Sequence, residues 1–345
     1  MSQNATAAPK THKARKIILI VLACLVGLVL LVLIAARCYF RLPVREYYSN
    51  SEKTFVIPGL SDGMIVQGLA YDGRAAQFYV TGYRTDGNAS QVSLVSKETG
   101  KEVKRISLAD ADGLPYSGHV GGITIHGDYV YVASSKGLVV YAYEDFQSAE
   151  SGKSIMALGV FSTVTADDKL GVAFTHAENG MIYVGEFYRE ANYPTPDSHK
   201  YRTAAGDENT ALILAYRFDA AAEFGIDPTI QAAYSVTGLV QGMCFDANGR
   251  FCLSTSYGPA FSHIYIYDTP KQEGEITVLG QTVARYVLDS SNLALDLKIA
   301  PMSEEIVFVD DKLYTMCESA SNKYIFGKFT SAKYCYATDL SAYEK

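Results

Sequence analysis

Signature motifs of several enzyme classes are missing from this chain of 345 residues. It contains no H-E-x-x-H zinc motif, no phosphate-binding P-loop and no glycine-rich dinucleotide turn. Its six cysteines show neither C-x-x-C nor Cys/His spacing, so nothing indicates a zinc site. These absences argue against zinc peptidases, P-loop nucleotide hydrolases and dinucleotide-dependent oxidoreductases.

Tryptophan is absent, whereas tyrosine is abundant with 26 residues, and 28 glycines are present. A chain rich in tyrosine and glycine with short apolar strands favours an all-β domain. Acidic residues are absent from residues 1–45, which hold seven of the 30 basic residues. The remaining 23 basic and 37 acidic residues leave a formal charge of −14 on the rest of the chain. Such a charge disfavours binding to nucleic acid or anionic lipid and keeps the domain soluble.

An uncharged apolar run of 20 residues occupies positions 17–36. At 1.5 Å per residue it reaches about 30 Å, the thickness of one hydrocarbon core, which favours an uncleaved signal anchor over a cleaved signal peptide. We therefore expect a short basic cytoplasmic tail at 1–16, a transmembrane helix at 17–36, a stalk at 37–52 and a β domain at 53–345. Four basic residues precede the helix and three follow it, which favours a cell-membrane protein with its domain outside the cytoplasm.

One hairpin phrase recurs five times along the domain. It begins at 66, 119, 170, 240 and 303, and the clearest copy is VQGMCFDANGRFCLSTS at 240–256. Repeats of about 50 residues with four strands each predict a β-propeller. We expect five blades, or six if a degenerate blade lies within 260–302. Strand 54–57 should complete the last blade and close the ring, which removes open sheet edges.

Some strand predictions are tested directly by the structure. Residues 282–287 are expected as the outer strand of the fourth blade, 324–330 as the third strand of the fifth with a further strand at 333–337 beyond it, and 289–302 as a loop.

The repeated phrase resembles the gluconolactonase-like, strictosidine-synthase-like and YncE-like propellers, and the resemblance covers 67–319. The phrases at 118–123, 183–189 and 300–306 are also similar to bacterial membrane-anchored propellers. This resemblance implies the fold. Gluconolactonase-like enzymes carry acidic and amide metal ligands on their inner strands, and a departure from that pattern is seen here at Gln67, Gly121, Gly171 and Gln241.

The turns between the first two strands of each repeat are short, whereas the connections on the opposite face are long. Binding residues usually lie on long loops over a rigid scaffold. The residues expected at that face as ligand-binding candidates are Gln67, Tyr83, His119, Glu186, Tyr188, Arg189, Gln241, Tyr257, Glu304 and Glu318. The long loop 188–209 is expected either as a wall over the site or as a disordered insertion.

Two functions remain open from the residues alone. The first is binding of a polar small molecule, a glycan or a protein partner. The alternative is a lactonase-like or glycosidase-like hydrolase that uses a carboxylate cluster, either with or without Ca²⁺. The catalytic candidates are Glu186, Glu304, Glu305, Glu318 and His119, each of which could instead serve the fold. Cys244 and Cys252 lie on opposite arms of one hairpin, as a disulfide or as buried thiols, and the state of Cys317 and Cys335 is equally open.

Overall fold

The computed structural model describes residues 10–343, and it begins with a long helix, α1 (Lys10–Arg41). Within that part of the chain α1 belongs to the one helical segment that is long and apolar enough to cross a membrane, judged by length and composition. A 3₁₀ turn (Leu42–Val44) and a short helix, α2 (Arg45–Ser49), follow directly. The segment expected as a stalk is therefore folded along most of its length.

The first two blades follow each other along the chain. Strand β1 (Ser51–Val56) precedes the first blade, which consists of β2 (Met64–Asp72), β3 (Gln77–Arg84), β4 (Gln91–Ser96) and β5 (Glu102–Ala109). The second blade consists of β6 (Ile123–His126), β7 (Tyr129–Ser134), β8 (Gly137–Ala142) and β10 (Gly159–Ser162). Between β8 and β10 the chain forms α3 (Tyr143–Ser148) and β9 (Ser154–Met156), which pairs in parallel with β5.

The third blade is larger than the others. Its own strands are β11 (Val172–Glu178), β12 (Met181–Glu186), β15 (Ala211–Phe218) and β16 (Ile226–Val236). The connection from β12 to β15 holds a 3₁₀ turn (Asp197–His199) and a hairpin of β13 (Tyr201–Arg202) with β14 (Glu208–Asn209).

The fourth blade is interrupted by an excursion of the chain. Its strands are β17 (Val240–Phe245), β18 (Phe251–Thr255), β19 (Ser262–Tyr267) and β22 (Leu293–Ile299). Before β22, the hairpin of β20 (Lys271–Val278) and β21 (Gln281–Val287) joins the third blade, because β21 pairs in parallel with β16.

The fifth blade closes the ring. It contains β23 (Ser303–Val309), β24 (Lys312–Cys317) and β25 (Tyr334–Thr338), and β1 pairs with β25 as its outer strand. Ser51 lies opposite Thr338, and Lys53 lies opposite Tyr336. The prediction of a five-bladed propeller closed by the N-terminal strand is confirmed. The six-bladed alternative is wrong, since β19 to β22 account for residues 260–302 within two existing blades.

The outer-strand prediction for residues 282–287 is wrong. They form β21 of the third sheet, and the fourth blade takes its outer strand from 293–299, which was expected as part of a loop. The apolar side chains of Ile276 and Val278 on β20 explain the excursion, because they join the core between the second and third blades.

The third-strand prediction for residues 324–330 is also wrong. This segment contains a 3₁₀ turn (Phe326–Phe329), and β25 takes the expected place of the strand. Gly327 packs so closely on the carbonyl oxygen of Ser319 that a β-carbon there would lie 1.5 Å from it.

Five separate hydrophobic cores lie between neighbouring blades, one for each of the five contacts around the ring. The core between the fifth and first blades joins Phe55 of β1 to Phe78 of β3 and Tyr314 of β24. Closure of the ring is therefore achieved by buried side chains as well as by the β1–β25 ladder.

Glycines allow the inner strands to meet at the propeller axis. A β-carbon on Gly121 would lie 2.0 Å from the carbonyl oxygen of Ala173, and one on Gly122 would lie 2.1 Å from Oε1 of Glu305. A β-carbon on Gly242 would lie 2.4 Å from the α-carbon of Glu305. The glycine in the repeated phrase is required by this close approach.

Candidate functional site

A cavity of 1090 Å³ lies on the long-loop face, and side chains from all five blades line it. Eight of the predicted ligand-binding residues contribute to its lining: Gln67, Tyr83, His119, Glu186, Gln241, Tyr257, Glu304 and Glu318. Its volume is at the upper end of the usual range for small-molecule sites, roughly 300–1,000 Å³. The repeat pattern thus brings these residues to one place, and their roles stay predictions.

The other two candidates, Tyr188 and Arg189, are not among the residues that line the cavity. Arg189 stacks its guanidinium on the ring of Tyr257, 4.0 Å from the ring centroid, and so contacts a lining residue. The Tyr188 ring lies 5.6 Å from Nζ of Lys200, within the long loop.

Glu318 is a buried carboxylate at the wall of the cavity, with 7% of its surface exposed. Its Oε2 accepts a hydrogen bond from Nε2 of Gln67 at 3.0 Å, and its Oε1 accepts one from the Tyr324 hydroxyl at 3.1 Å. Burial raises the pKa of Glu318 to about 7, although the Tyr324 hydroxyl, the Lys323 charge and the Gln67 amide each lower it. The carboxyl group therefore exchanges a proton near neutral pH.

Glu304 lies beside Glu318 but differs from it in hydrogen bonding. Its side chain is 2% exposed, and its Oε1 has no hydrogen-bond partner among the described residues. Burial raises the pKa of Glu304 well above its usual value, and the charges of Glu318 and Glu305 raise it further. An unpaired buried carboxyl oxygen on a cavity wall costs stability unless a donor from a ligand or water reaches it.

Lys323 supplies a positive charge close to the Glu318 carboxyl group. Its Nζ donates a hydrogen bond to the Tyr83 hydroxyl at 2.7 Å and lies 5.3 Å from the ring centroids of both Tyr83 and Tyr324. The His119 ring lies 4.5 Å from the Tyr83 ring. Burial and the nearby Lys323 charge lower the pKa of His119, so its imidazole is neutral at pH 7.

The long loop 188–209 forms a folded wall, and its residues 193–196 line the cavity. His199 holds the loop against the propeller, because its fully buried imidazole ring lies between two carboxylates and contacts both. Its Nδ1 lies 2.9 Å from Oε2 of Glu186, and its Nε2 lies 3.1 Å from Oδ1 of Asp168. Burial opposes a charge on His199, but these two carboxylates outweigh it and raise its pKa.

Glu186 therefore has a partner, in contrast to Glu304. Its Oε2 also accepts a hydrogen bond from the backbone amide of Leu212 at 3.1 Å. Asp168 accepts a further hydrogen bond from the amide of Leu279, which ties the loop to the β20–β21 hairpin. The structure thus places Glu186 in the support of the wall.

Glu305, a catalytic candidate from the sequence, lies away from the lining. Its carboxylate lies at the propeller axis and accepts hydrogen bonds from the amides of Leu69, Ile123 and Thr175, at 2.9, 2.7 and 3.2 Å. These amides belong to the inner strands of the first three blades. Burial raises the pKa of Glu305 to about 8, even though the three amides lower it.

Sequence reasoning missed Tyr324, because residues 324–330 were assigned to a strand, and it missed Lys323, which directly precedes that range. It also missed Tyr116, which lines the cavity from the connection after β5. The pentapeptide GLSDG at 59–63 matches the G-x-S-x-G motif of a nucleophile elbow. The structure places it in the turn before β2 with no helix after it, so the strand–turn–helix setting of such an elbow is missing there.

Cys244 and Cys252 lie directly opposite each other on β17 and β18, and both are buried free thiols. Cys317 and Cys335 are likewise buried and free. Within residues 10–343, no group of three or more histidine, cysteine or acidic side chains is placed to hold a metal ion.

No protein-family model matches the sequence, and no curated protein matches it. Solved structures similar to the chain include a luciferin-regenerating enzyme, with 13% identity, a TM-score of 0.43, and coverage of 83% of this chain and 94% of that one. Glutaminyl cyclase from Myxococcus xanthus has 10% identity and a TM-score of 0.43, covering 84% and 94% of the two chains. The PQQ-bound aldose sugar dehydrogenase from Streptomyces coelicolor has 14% identity and a TM-score of 0.41, covering 83% and 95%. These likenesses concern the fold alone.

Proposed function

We propose that this protein binds a polar small molecule, about the size of an oligosaccharide, in the cavity on its long-loop face. The observation that carries the proposal is the unpartnered Oε1 of Glu304, which is buried in the wall of a large cavity. Oε1 itself is enclosed, so a hydroxyl or ammonium group of a ligand would meet the Glu304 carboxyl group on the side that lines the cavity. The tyrosines of the lining add apolar ring surface with polar tips, a combination common in sites that bind small molecules.

Titration calorimetry on the full-length protein in phosphatidylcholine nanodiscs tests this proposal with neutral oligosaccharides and amino sugars. We expect a ligand that binds the wild type and loses at least tenfold in affinity, about 1.4 kcal/mol, in Glu304→Gln. Glu98→Gln, an exposed glutamate on the turn after β4, is the matched control and should bind as the wild type does. Equal affinity of Glu304→Gln and wild type for every ligand that binds would contradict the assignment.

A second function, hydrolysis by paired carboxyl groups, is favoured by one observation. The raised pKa values of Glu304 and Glu318 keep a proton available near neutral pH, as a general acid requires. Hydrolysis of nitrophenyl glycosides and lactones, with and without CaCl₂, tests this alternative. Activity that disappears in both Glu304→Gln and Glu318→Gln would support it, whereas binding without turnover would support the first proposal.

We also propose that α1 anchors the protein in the cell membrane with the propeller outside the cytoplasm. The length and apolar composition of α1 support the anchor, and the basic residues before it support this orientation. Protease added to intact cells should remove the propeller. A propeller that survives while a lysed-cell control is digested would contradict the orientation.

A further inference from the structure

The last turn of α1 docks on the propeller through aromatic side chains. The Phe40 ring stacks on Phe326 with 5.7 Å between centroids, and it lies 6.4 Å from Phe261. Tyr39 also reaches Phe261, at 6.1 Å. One turn earlier, Arg37 donates a hydrogen bond to the Ser331 hydroxyl at 3.5 Å.

These contacts lie at the rim of the cavity. Phe326 follows the lining residue Tyr324 by two positions, and the two rings are 5.9 Å apart. Phe261 follows the lining residue Pro259 by two positions, on the connection between β18 and β19. The helix therefore meets the propeller where the fourth and fifth blades form the rim.

The junction between α1 and the propeller is fixed by packing. Val44 and Tyr47 are 1% and 2% exposed, and Tyr47 joins the core between the fourth and fifth blades. The Tyr47 hydroxyl lies 2.5 Å from Oγ1 of Thr315, and the Tyr48 hydroxyl donates to the carbonyl oxygen of Thr330. Because no extended linker separates helix from domain, the position of the helix in a bilayer also sets the position of the rim.

Simple geometry locates the rim relative to the lipid. The apolar run ends at Ala36, and Phe40 lies four residues later, about 6 Å farther along the helix axis. The headgroup layer of one leaflet is roughly 5–8 Å thick, from the difference between the hydrocarbon core and the whole bilayer. Phe40 and the two rings that it contacts thus fall in or next to the headgroup layer.

The chemistry of the surface around this junction fits such a position. Ile325, between Tyr324 and Phe326, is 83% exposed, and Tyr39 is 64% exposed. Basic side chains surround these apolar groups although the domain is acidic overall: Arg37, Arg41, Lys298 and Lys328. Aromatic rings beside lysine and arginine are the usual composition of a protein surface at the membrane interface.

We infer that the rim formed by the fourth and fifth blades rests in the lipid headgroup layer, so that the cavity opens along the membrane surface. The occupant of this apolar surface is the bilayer that holds α1. The inference takes α1 as a membrane span and does not depend on which ligand the cavity binds. It implies that a polar group attached to a lipid-like molecule in the membrane can enter the cavity while that molecule stays in the bilayer.

The lack of tryptophan makes a direct test simple, because each introduced tryptophan is the sole one in the chain. Ile325→Trp and Phe261→Trp report the position of the rim in full-length protein reconstituted into phosphatidylcholine vesicles, which add no other protein. Lipid with a nitroxide on its headgroup should quench most of their emission. Phe308→Trp, on the opposite face beside the turn at 310–311, is the matched control and should keep its emission.

Leu33→Trp, within α1, shows whether the helix is in the bilayer, through quenching by lipid with brominated acyl chains. Quenching at Leu33→Trp together with no quenching at Ile325→Trp and Phe261→Trp would overturn the inference. No quenching at Leu33→Trp would overturn it as well, since the rim is placed by the helix. Equal quenching of the rim and of Phe308→Trp would show that the face is not selective for lipid.

Discussion

Glu304 and Glu305 are consecutive residues on β23, and both are almost completely buried. The pairing of β23 with β24 shifts register between Ser303 and Ile306, and at this irregularity Glu304 lines the cavity while Glu305 reaches the amides at the axis. Glu305 accepts hydrogen bonds from backbone amides of three different blades, whereas Oε1 of Glu304 has no partner in the described part of the chain. The same functional group is thus fully hydrogen-bonded at one position and has an unpartnered oxygen at the next, where we propose ligand binding.

Glu186 shares one property with each of these two glutamates. It lines the cavity like Glu304, but His199 and the Leu212 amide satisfy it. Burial and residue type are therefore poor guides to function here, and the partners of each carboxyl group distinguish the three.

The largest change in the free energy of unfolding is expected for Glu305→Leu. This change leaves three buried amides without an acceptor, at roughly 1–3 kcal/mol each, so we expect the free energy of unfolding to fall by at least about 3 kcal/mol. Urea denaturation followed by circular dichroism measures it. Glu304→Leu on the same strand is the matched control and should cost much less, because Oε1 of Glu304 has no partner to lose. Equal losses of unfolding free energy in the two variants would contradict the structural role assigned to Glu305 alone.

A smaller effect is expected for His199→Asn. The change removes the partner of Glu186 and Asp168, and breaking a buried ion pair of this kind costs about 3 kcal/mol. The loss should be local, so that limited proteolysis cuts the loop 188–209 faster than in the wild type. The control is Lys200→Asn, which breaks the exposed pair with Asp197 and should change stability by less than about 1 kcal/mol. An uncut loop in His199→Asn would show that other contacts hold the wall.

The smallest effect is expected for Glu304→Gln, and it should depend on pH. The folded protein holds protons on Glu304 and Glu318 that the unfolded chain releases above about pH 4.5. The unfolding free energy of the wild type therefore falls as the pH rises from 5 through 7. Glu304→Gln should match the wild type at pH 5 and exceed it at pH 8 by roughly 1 kcal/mol, since the glutamine has no proton to take up on folding at a pH where the unfolded glutamate is ionised. Thermal unfolding at both pH values measures this difference, and a variant less stable at pH 8 would contradict the raised pKa.

The sequence predicted the blades well, because each blade is a run of local antiparallel hairpins with its own glycine and turn residues. The closing strand was also predictable, since one strand preceded the first hairpin and the last blade lacked one. The β20–β21 hairpin was misassigned, because its parallel contact with β16 depends on packing between blades and leaves no local signal.

The candidate site was predictable in its outline. The ends of inner strands converge on one face in any propeller, which is why Gln67, His119, Gln241 and Glu304 line the same cavity. The axial role of Glu305 was not predictable, since its three donors come from distant parts of the chain. Lys323 was missed for a similar reason, because its segment forms irregular 3₁₀ structure and not a strand.

The β1–β25 ladder has a consequence for the order of synthesis. The hydroxyls of Ser51 and Thr338, 287 residues apart, lie 2.8 Å from each other across the ladder. At a synthesis rate of 5–20 residues per second, β1 waits roughly 15–60 s for its partner strand. During that time the first strand of the domain stays an open edge, and the ring becomes complete only when the last strand has been made.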